Sequence, residues 1–139
     1  LAANAPVDAQ NDNGLTPLHK AACKGRAEVV QLLLTAKAQV DMQENVGWTP
    51  LHLAAASGHV EVVNLLVEVA SLGVQNKDGD TPLHEAAYYG KAEVVELLLA
   101  ANAPVDVKSN GGWTLLHRAA LNGHAEVVQL LLTAKAQVD

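Results

Sequence analysis

The chain has 139 residues, half of them apolar, yet it contains no Phe and only four aromatic side chains, two Trp and two Tyr. Its net charge of −6, from 9 Lys+Arg against 15 Asp+Glu, leaves no basic stripe of the kind phosphate backbones require, so nucleic acid is not an expected partner. No apolar run approaches the roughly 18 residues of a membrane-spanning helix, so no membrane partner is expected either. The start, Leu1-Ala2-Ala3-Asn4, lacks the cationic and apolar regions of a signal peptide, and the single Cys23 cannot form an internal disulfide, which fits a reducing, cytoplasmic setting.

One phrase organises the rest. Thr16-Pro17-Leu18-His19 returns as Thr49-Pro50-Leu51-His52, Thr81-Pro82-Leu83-His84 and Thr114-Leu115-Leu116-His117, at intervals of 33, 32 and 33 residues. A period of this size predicts a stack of like units, each burying its apolar face only against its neighbours. In chain order, residues 1–8 read as the tail of a preceding unit, and the units follow at 9–41, 42–73, 74–106 and 107–139.

Within 9–41, Asn11-Asp12-Asn13-Gly14 is turn chemistry. Thr16 then serves as a helix N-cap, with Pro17 at the first helical position, where its missing N–H costs nothing. A helix of about two turns carries Leu18, Ala21 and Ala22 and ends at Gly25 in a left-handed conformation. A second helix starts near Ala27, with Glu28 favourably placed against its dipole. Val29, Val30, Leu32 and Leu33 give it a broad apolar face. In 42–73 one residue is missing near Glu68-Val69-Ala70, so the second helix should end early. In 107–139 Leu115 stands where the other units have Pro, which leaves Thr114 as the cap.

The run G-x-T-P-L-H-x-A-A-x-x-G-x-x-E-V-V-x-L-L-L resembles the ankyrin repeat, over essentially the whole chain. The resemblance implies an elongated, slightly curved all-α solenoid of stacked antiparallel helix pairs with projecting β-hairpin loops. Hairpins and first helices would line its concave face and second helices its back. It also implies that His19, His52, His84 and His117 bond the Thr hydroxyl and nearby backbone. Successive copies would lie about 10 Å apart, the spacing of packed helices, too far to share a zinc ion at ~2 Å ligand distances. His59 and His124, after the helix-ending glycines, are expected to bridge loops. Lys37 and Lys135 stand where the family usually has a left-handed Gly, and Asn4 and Asn102 stand there in the other copies. A Lys costs roughly 1–2 kcal/mol in that conformation, so Lys37→Gly should raise the unfolding midpoint; a lower midpoint would place the residue elsewhere.

The units also differ from one another in an ordered way. Leu1–Asp8 equals Leu99–Asp106 and Ala27–Asp41 equals Ala125–Asp139, whereas residues 9–26 and 107–124 differ at 11 of 18 positions. Variation is therefore concentrated in the hairpin and the outer side of the first helix. That pattern suits a face free to fit a protein or peptide partner. The candidate contact residues there are Leu15, Lys20, Trp48, Leu53, Asp80, Glu85, Tyr88, Tyr89, Trp113, Arg118 and Leu121. All four aromatics are among them, and Trp, Tyr and Arg are the types most often found to carry binding energy. Trp48 and Trp113 admit a second reading, packing along the hairpin.

Catalytic chemistry is not expected. Cys23 has no base at fixed spacing. Asp78, Asp80 and Glu85 read as a solvated hairpin without the cleft that would tune a general acid or base. No phosphate-cradling motif occurs, and no metal or other cofactor is called for. The sequence thus predicts a non-enzymatic protein-interaction module. An engineered repeat scaffold with no natural ligand is the alternative, and a regulatory repeat domain cut from a larger enzyme is a more distant one. Val127, Val128, Leu130 and Leu131 have no later unit in this chain to cover them, which would leave that end open to end-to-end self-association.

Overall fold

Each Thr of the recurring phrase starts a helix, and each Gly that follows the Ala pair ends one. The computed structural model describes the backbone of residues 6–138 and the side chains of residues 6–134. Eight α-helices follow in order among them: α1 (Pro17–Cys23), α2 (Ala27–Thr35), α3 (Pro50–Ser57), α4 (Val60–Leu66), α5 (Pro82–Tyr88), α6 (Ala92–Ala100), α7 (Leu115–Leu121) and α8 (Ala125–Val138). A 3-10 turn spans Asn110–Gly112 ahead of α7.

The first helices share one start. Thr16, Thr49, Thr81 and Thr114 are extended N-caps whose hydroxyls accept from the backbone N–H of the His three residues on, while that His accepts from the cap N–H. This reciprocal capping box satisfies two otherwise free donors at once. It forms in α7 even though Leu115 has replaced the proline. At the other end, Gly25 has φ 71°, and a side chain there would meet His59 Nδ1 at 2.6 Å. Both conformation and space require glycine at that corner.

The helices stack in two layers. α1 packs on α3, α3 on α5 and α5 on α7, while α2, α4, α6 and α8 form the second row. Leu18, Leu51 and Leu83 are buried at one repeating position, Leu116 at that position in the fourth unit is half-buried beside a buried Leu115, and small Ala pairs such as Ala54–Ala55 and Ala86–Ala87 let the first helices approach closely. Ala, Val and Leu fill this core without a large aromatic, as close packing of thin layers demands.

The loops before the first helices are tight hairpins, closed in the first unit by Asn11 N–H to Leu15 O and Gly14 N–H to Asn11 O, both 2.9 Å. One backbone bond joins each tip to the next: Asn45 N–H to Asn13 O, Lys77 N–H to Val46 O and Asn110 N–H to Asp78 O. No β-strand is formed among the described residues. The hairpin arms are too short for a ladder.

Helix ends on the second layer match the expectations with one correction. α4 is two residues shorter than α2 and α6, which follows the missing residue. Lys37 (φ 66°) and Asn102 (φ 65°) occupy left-handed corners. Asn4 lies outside the described residues. Lys135, expected at a third such corner, is instead inside α8, which continues to Val138 although Ala27–Val40 and Ala125–Val138 are identical in sequence. The turn after α2 is held from both sides. Gln39 N–H donates to Asp8 Oδ1 at 2.9 Å, and Asp41 Oδ1 accepts from Ser71 N–H at 3.0 Å. After α8 no such pair of contacts is made among the described residues, and the helix ladder runs on. Val127 and Leu131, expected at an uncovered end, are buried, while Val128 and Leu130 are half-buried.

Candidate functional site

The hairpin tips and first helices present one side-chain column per turn of the phrase, and the columns change in register. One residue before the Thr stand Leu15, Trp48, Asp80 and Trp113; four after it stand Lys20, Leu53, Glu85 and Arg118. In the third and fourth units these two columns meet, and a polar cluster results.

Arg118 Nη2 donates to Asp80 Oδ1 at 3.0 Å, Asp80 Oδ2 at 3.1 Å and Ser109 Oγ at 3.2 Å. Its guanidinium carbon lies 5.1 Å from the centre of the Trp113 ring, within range of a cation–π attraction. Asp80 and Glu85 are each only 6% exposed. Glu85 Oε2 accepts from Asn76 Nδ2 at 3.1 Å, and Asn76 Oδ1 accepts the backbone N–H groups of Asp78 and Asp80. Burial first, and then the neighbouring Asp80 charge, pushes the Glu85 carboxyl up to about 7. These positions correct the expectation of a solvated hairpin. Asp78 is exposed, but Asp80 and Glu85 are buried beneath it, because Arg118 from the next unit reaches back to cover them.

A hollow of about 450 Å³ opens over this cluster. Trp48, Asp80, Glu85 and Tyr88 line it, joined by Tyr89, Trp113, Arg118 and Leu121. Eight of the eleven candidate contact residues are therefore brought together. Leu15, Lys20 and Leu53 are not; Leu15 and Leu53 are half-buried and Lys20 is exposed on the earlier units. Tyr88 and Tyr89 meet edge to face with ring centres 4.9 Å apart. Tyr89 is 48% exposed and Leu121 57%. Burial, with Glu85 nearby, also raises the Tyr89 hydroxyl above its ordinary value. Trp48 and Trp113 pack against His52 and His117 with ring centres 5.7 Å apart, and both also line the hollow.

Sequence reasoning missed Asn76 and Ser109. Five residues before the Thr stand Asn11, Glu44, Asn76 and Ser109. In the first three units the side-chain oxygen at this position accepts two backbone N–H groups of its hairpin, at 2.8–3.0 Å. Ser109 does not. Its hydroxyl donates to Trp113 O at 3.3 Å, and the turn instead uses two successive left-handed glycines, Gly111 and Gly112. The alignment of this column was the available signal.

The histidines are committed to the frame. His19 Nε2 donates to Trp48 O and His52 Nε2 to Asp80 O, each at 2.8 Å. Their Nδ1 atoms accept from the cap N–H groups of Thr16 and Thr49, so both rings are neutral; burial pushes His52 down to about 4. His59 Nε2 bonds Cys23 O and His124 Nε2 bonds Tyr88 O, each at 2.9 Å, which fulfils the expected loop bridging. His84 differs. Trp113 O already accepts Ser109 N–H and O–H, and His84 Nε2, like Arg118 Nε, is buried with no acceptor among the described residues.

On the opposite side, a hollow of about 600 Å³ between α6 and α8 is lined by groups such as Leu99, Val105 and Leu130, with Glu96 its sole ionisable residue among the described residues. It gathers no comparable set of polar groups. No helix among the described residues is long and apolar enough to cross a membrane. The family model described as ankyrin repeats (3 copies) matches residues 1–72 and 65–139. A search of curated proteins returns no match to the chain.

Proposed function

Because the chain belongs to the ankyrin-repeat family, whose members are generally non-enzymatic protein–protein interaction modules, we propose that it binds a protein or peptide partner on its concave hairpin and first-helix face, centred on the hollow over units two to four. The observation that carries this reading is the gathering of all four aromatics, Leu121 and a buried acid–arginine cluster around one opening. Large aromatic and Arg side chains at the centre of a patch are the usual anchors of an interface. The helix pairs fit repeats bounded at 9–41, 42–73, 74–106 and 107–139. A cytoplasmic setting suits the lone thiol of Cys23.

Capture of a partner from cell lysate by three proteins tests the reading: the unaltered chain, a Tyr89→Ala/Leu121→Ala variant, and a control changed on the second layer at the 65% exposed Leu32 (Leu32→Glu). A partner held by the unaltered chain and the control but lost from the double variant is the expected result. A partner lost only from the Leu32 variant would move the binding surface to the back.

A further inference from the structure

The hollow carries more negative charge than its own groups neutralise. Asp78, Asp80 and Glu85 line it against the single cation Arg118, and Arg118 is spent on Asp80. Glu85 is more than nine-tenths buried yet incompletely partnered. Oε2 accepts from Asn76, and the protonated carboxyl is within hydrogen-bonding range of Asp80, but once Glu85 ionises the two carboxylates are both acceptors. Ionised, Glu85 thus has a side-chain donor at Oε2 alone among the described residues, and it lines the opening. The same opening is walled by rings. Trp113 already carries the Arg118 guanidinium, whereas Trp48, Tyr88 and Tyr89 carry no cation among the described residues.

We propose that the hollow receives a lysine or arginine side chain from a basic segment of the partner, with Glu85 as its counter-charge and the Trp48 and Tyr89 rings as its cation–π walls. The proposal rests on the reading of this face as the binding surface and gives that surface a chemistry. An incoming cation supplies the donor that Glu85 lacks and offsets the charge that burial disfavours. A ring adds attraction that grows as the cation loses water. With its carboxyl held at about 7, Glu85 is partly protonated near neutrality. On binding, its O–H bond breaks, the proton passes to solvent, and the carboxylate pairs with the guest cation. The groups facing Glu85 are Asp80, Arg118 and Tyr89, with Asp78 at the rim.

The two Trp indole N–H signals both report on this hollow, so a heteronuclear NMR titration of the intact chain reads the site directly. The probe is the peptide acetyl-Gly-Arg-Gly-amide, and the control is the same peptide with neutral citrulline in place of Arg. Expected are saturable shifts of the Trp48 and Trp113 signals with the Arg peptide and at least about tenfold weaker binding of the citrulline peptide. Binding should also weaken about tenfold from pH 8 to pH 6, the change in ionised fraction of an acid of pKa near 7. In Glu85→Gln, with its helical circular dichroism retained, affinity should fall and the pH profile flatten. Equal binding of the two peptides, or an unchanged profile in Glu85→Gln, overturns the proposal. Should Glu85→Gln fail to fold, the wild-type pH profile and an Asp78→Asn rim variant, expected to bind two- to threefold more weakly, decide. Failure of the Arg peptide while the Tyr89→Ala/Leu121→Ala variant still loses its partner defeats the cation pocket and leaves the binding face standing.

Discussion

At the junction of the first two units, His19 spans the gap to Trp48 O, Glu44 clamps its own hairpin, and the first-helix positions hold Lys20 and Leu53, which make no ion pair with each other. At the junction of the last two, every one of these parts has changed. His84 Nε2 has no hydrogen-bond acceptor among the described residues, Ser109 no longer clamps the hairpin, and a buried Glu85 and Arg118 stand where Lys20 and Leu53 stand earlier, with Arg118 paired to Asp80 at the position of Leu15. The frame is the same: capped helices, a repeated apolar Leu and Ala pairs. A repeat stack keeps its shape through groups repeated in every unit, and this allows one junction to carry costly polar groups. Departure from the internal consensus, more than any single motif, marks the site.

The largest effect should come from the spanning histidines. His52→Ala removes a buried ring, its capping-box bond and its bridge to Asp80 O, and should cost roughly 3–4 kcal/mol in urea unfolding. His84→Ala removes the ring and the capping bond but no bridge, so its cost should be about 1 kcal/mol smaller. Equal costs would mean that the two junctions are joined alike.

Next in size is the ion pair. Asp80→Ala strands Arg118 in a half-buried site and should cost about 2–3 kcal/mol. Lys20→Ala, at the position in unit one matching Arg118, should stay within about 0.5 kcal/mol. A thermal melt of each variant decides, and a costly Lys20→Ala would erase the contrast.

Glu85→Gln should act in the opposite direction. The folded pKa is raised from 4.5 to about 7, so the folded protein binds more protons than the unfolded chain between those values. The stability Glu85 contributes is fully present below about pH 4.5 and is lost as pH rises through about 7. Gln has no such loss. The variant should therefore exceed the wild type by up to about 3 kcal/mol at pH 8, and the gap should close as pH is lowered towards 4.5. The low value of His52, at about 4, makes both proteins lose stability as pH falls from 6.5 and cancels in the difference.

The smallest effect restores a frame part. Ser109→Asp supplies an acceptor for the hairpin N–H groups and frees Trp113 O for His84, and should add about 1 kcal/mol. Denaturant midpoints of Ser109→Asp with and without His84→Ala would show whether the regained bridge is the source.

Much of the fold was legible because it is local and repeated. Thr caps, the Gly corners, the short α4 and the left-handed Lys37 all follow from residue types at fixed positions. Two features were not legible in a single unit. Asp80 and Glu85 read as solvated because the group that buries them, Arg118, arrives from the next unit, 38 residues after Asp80 and 33 after Glu85. Lys135 read as a corner because Lys37 is one, yet the identical segments end differently: the turn after α2 is tied to Asp8 and Ser71, a pair of contacts not seen after α8 among the described residues. Both errors have one cause: in a stack, the neighbour completes the environment.

The most direct measurement is a carbon-13 NMR titration of the Glu85 side-chain carboxyl in the intact chain. A midpoint near 7 is expected if the third and fourth units enclose a buried, incompletely paired acid. A midpoint near 4.5 would mean that Glu85 is solvated after all, and that this junction is no different from the first.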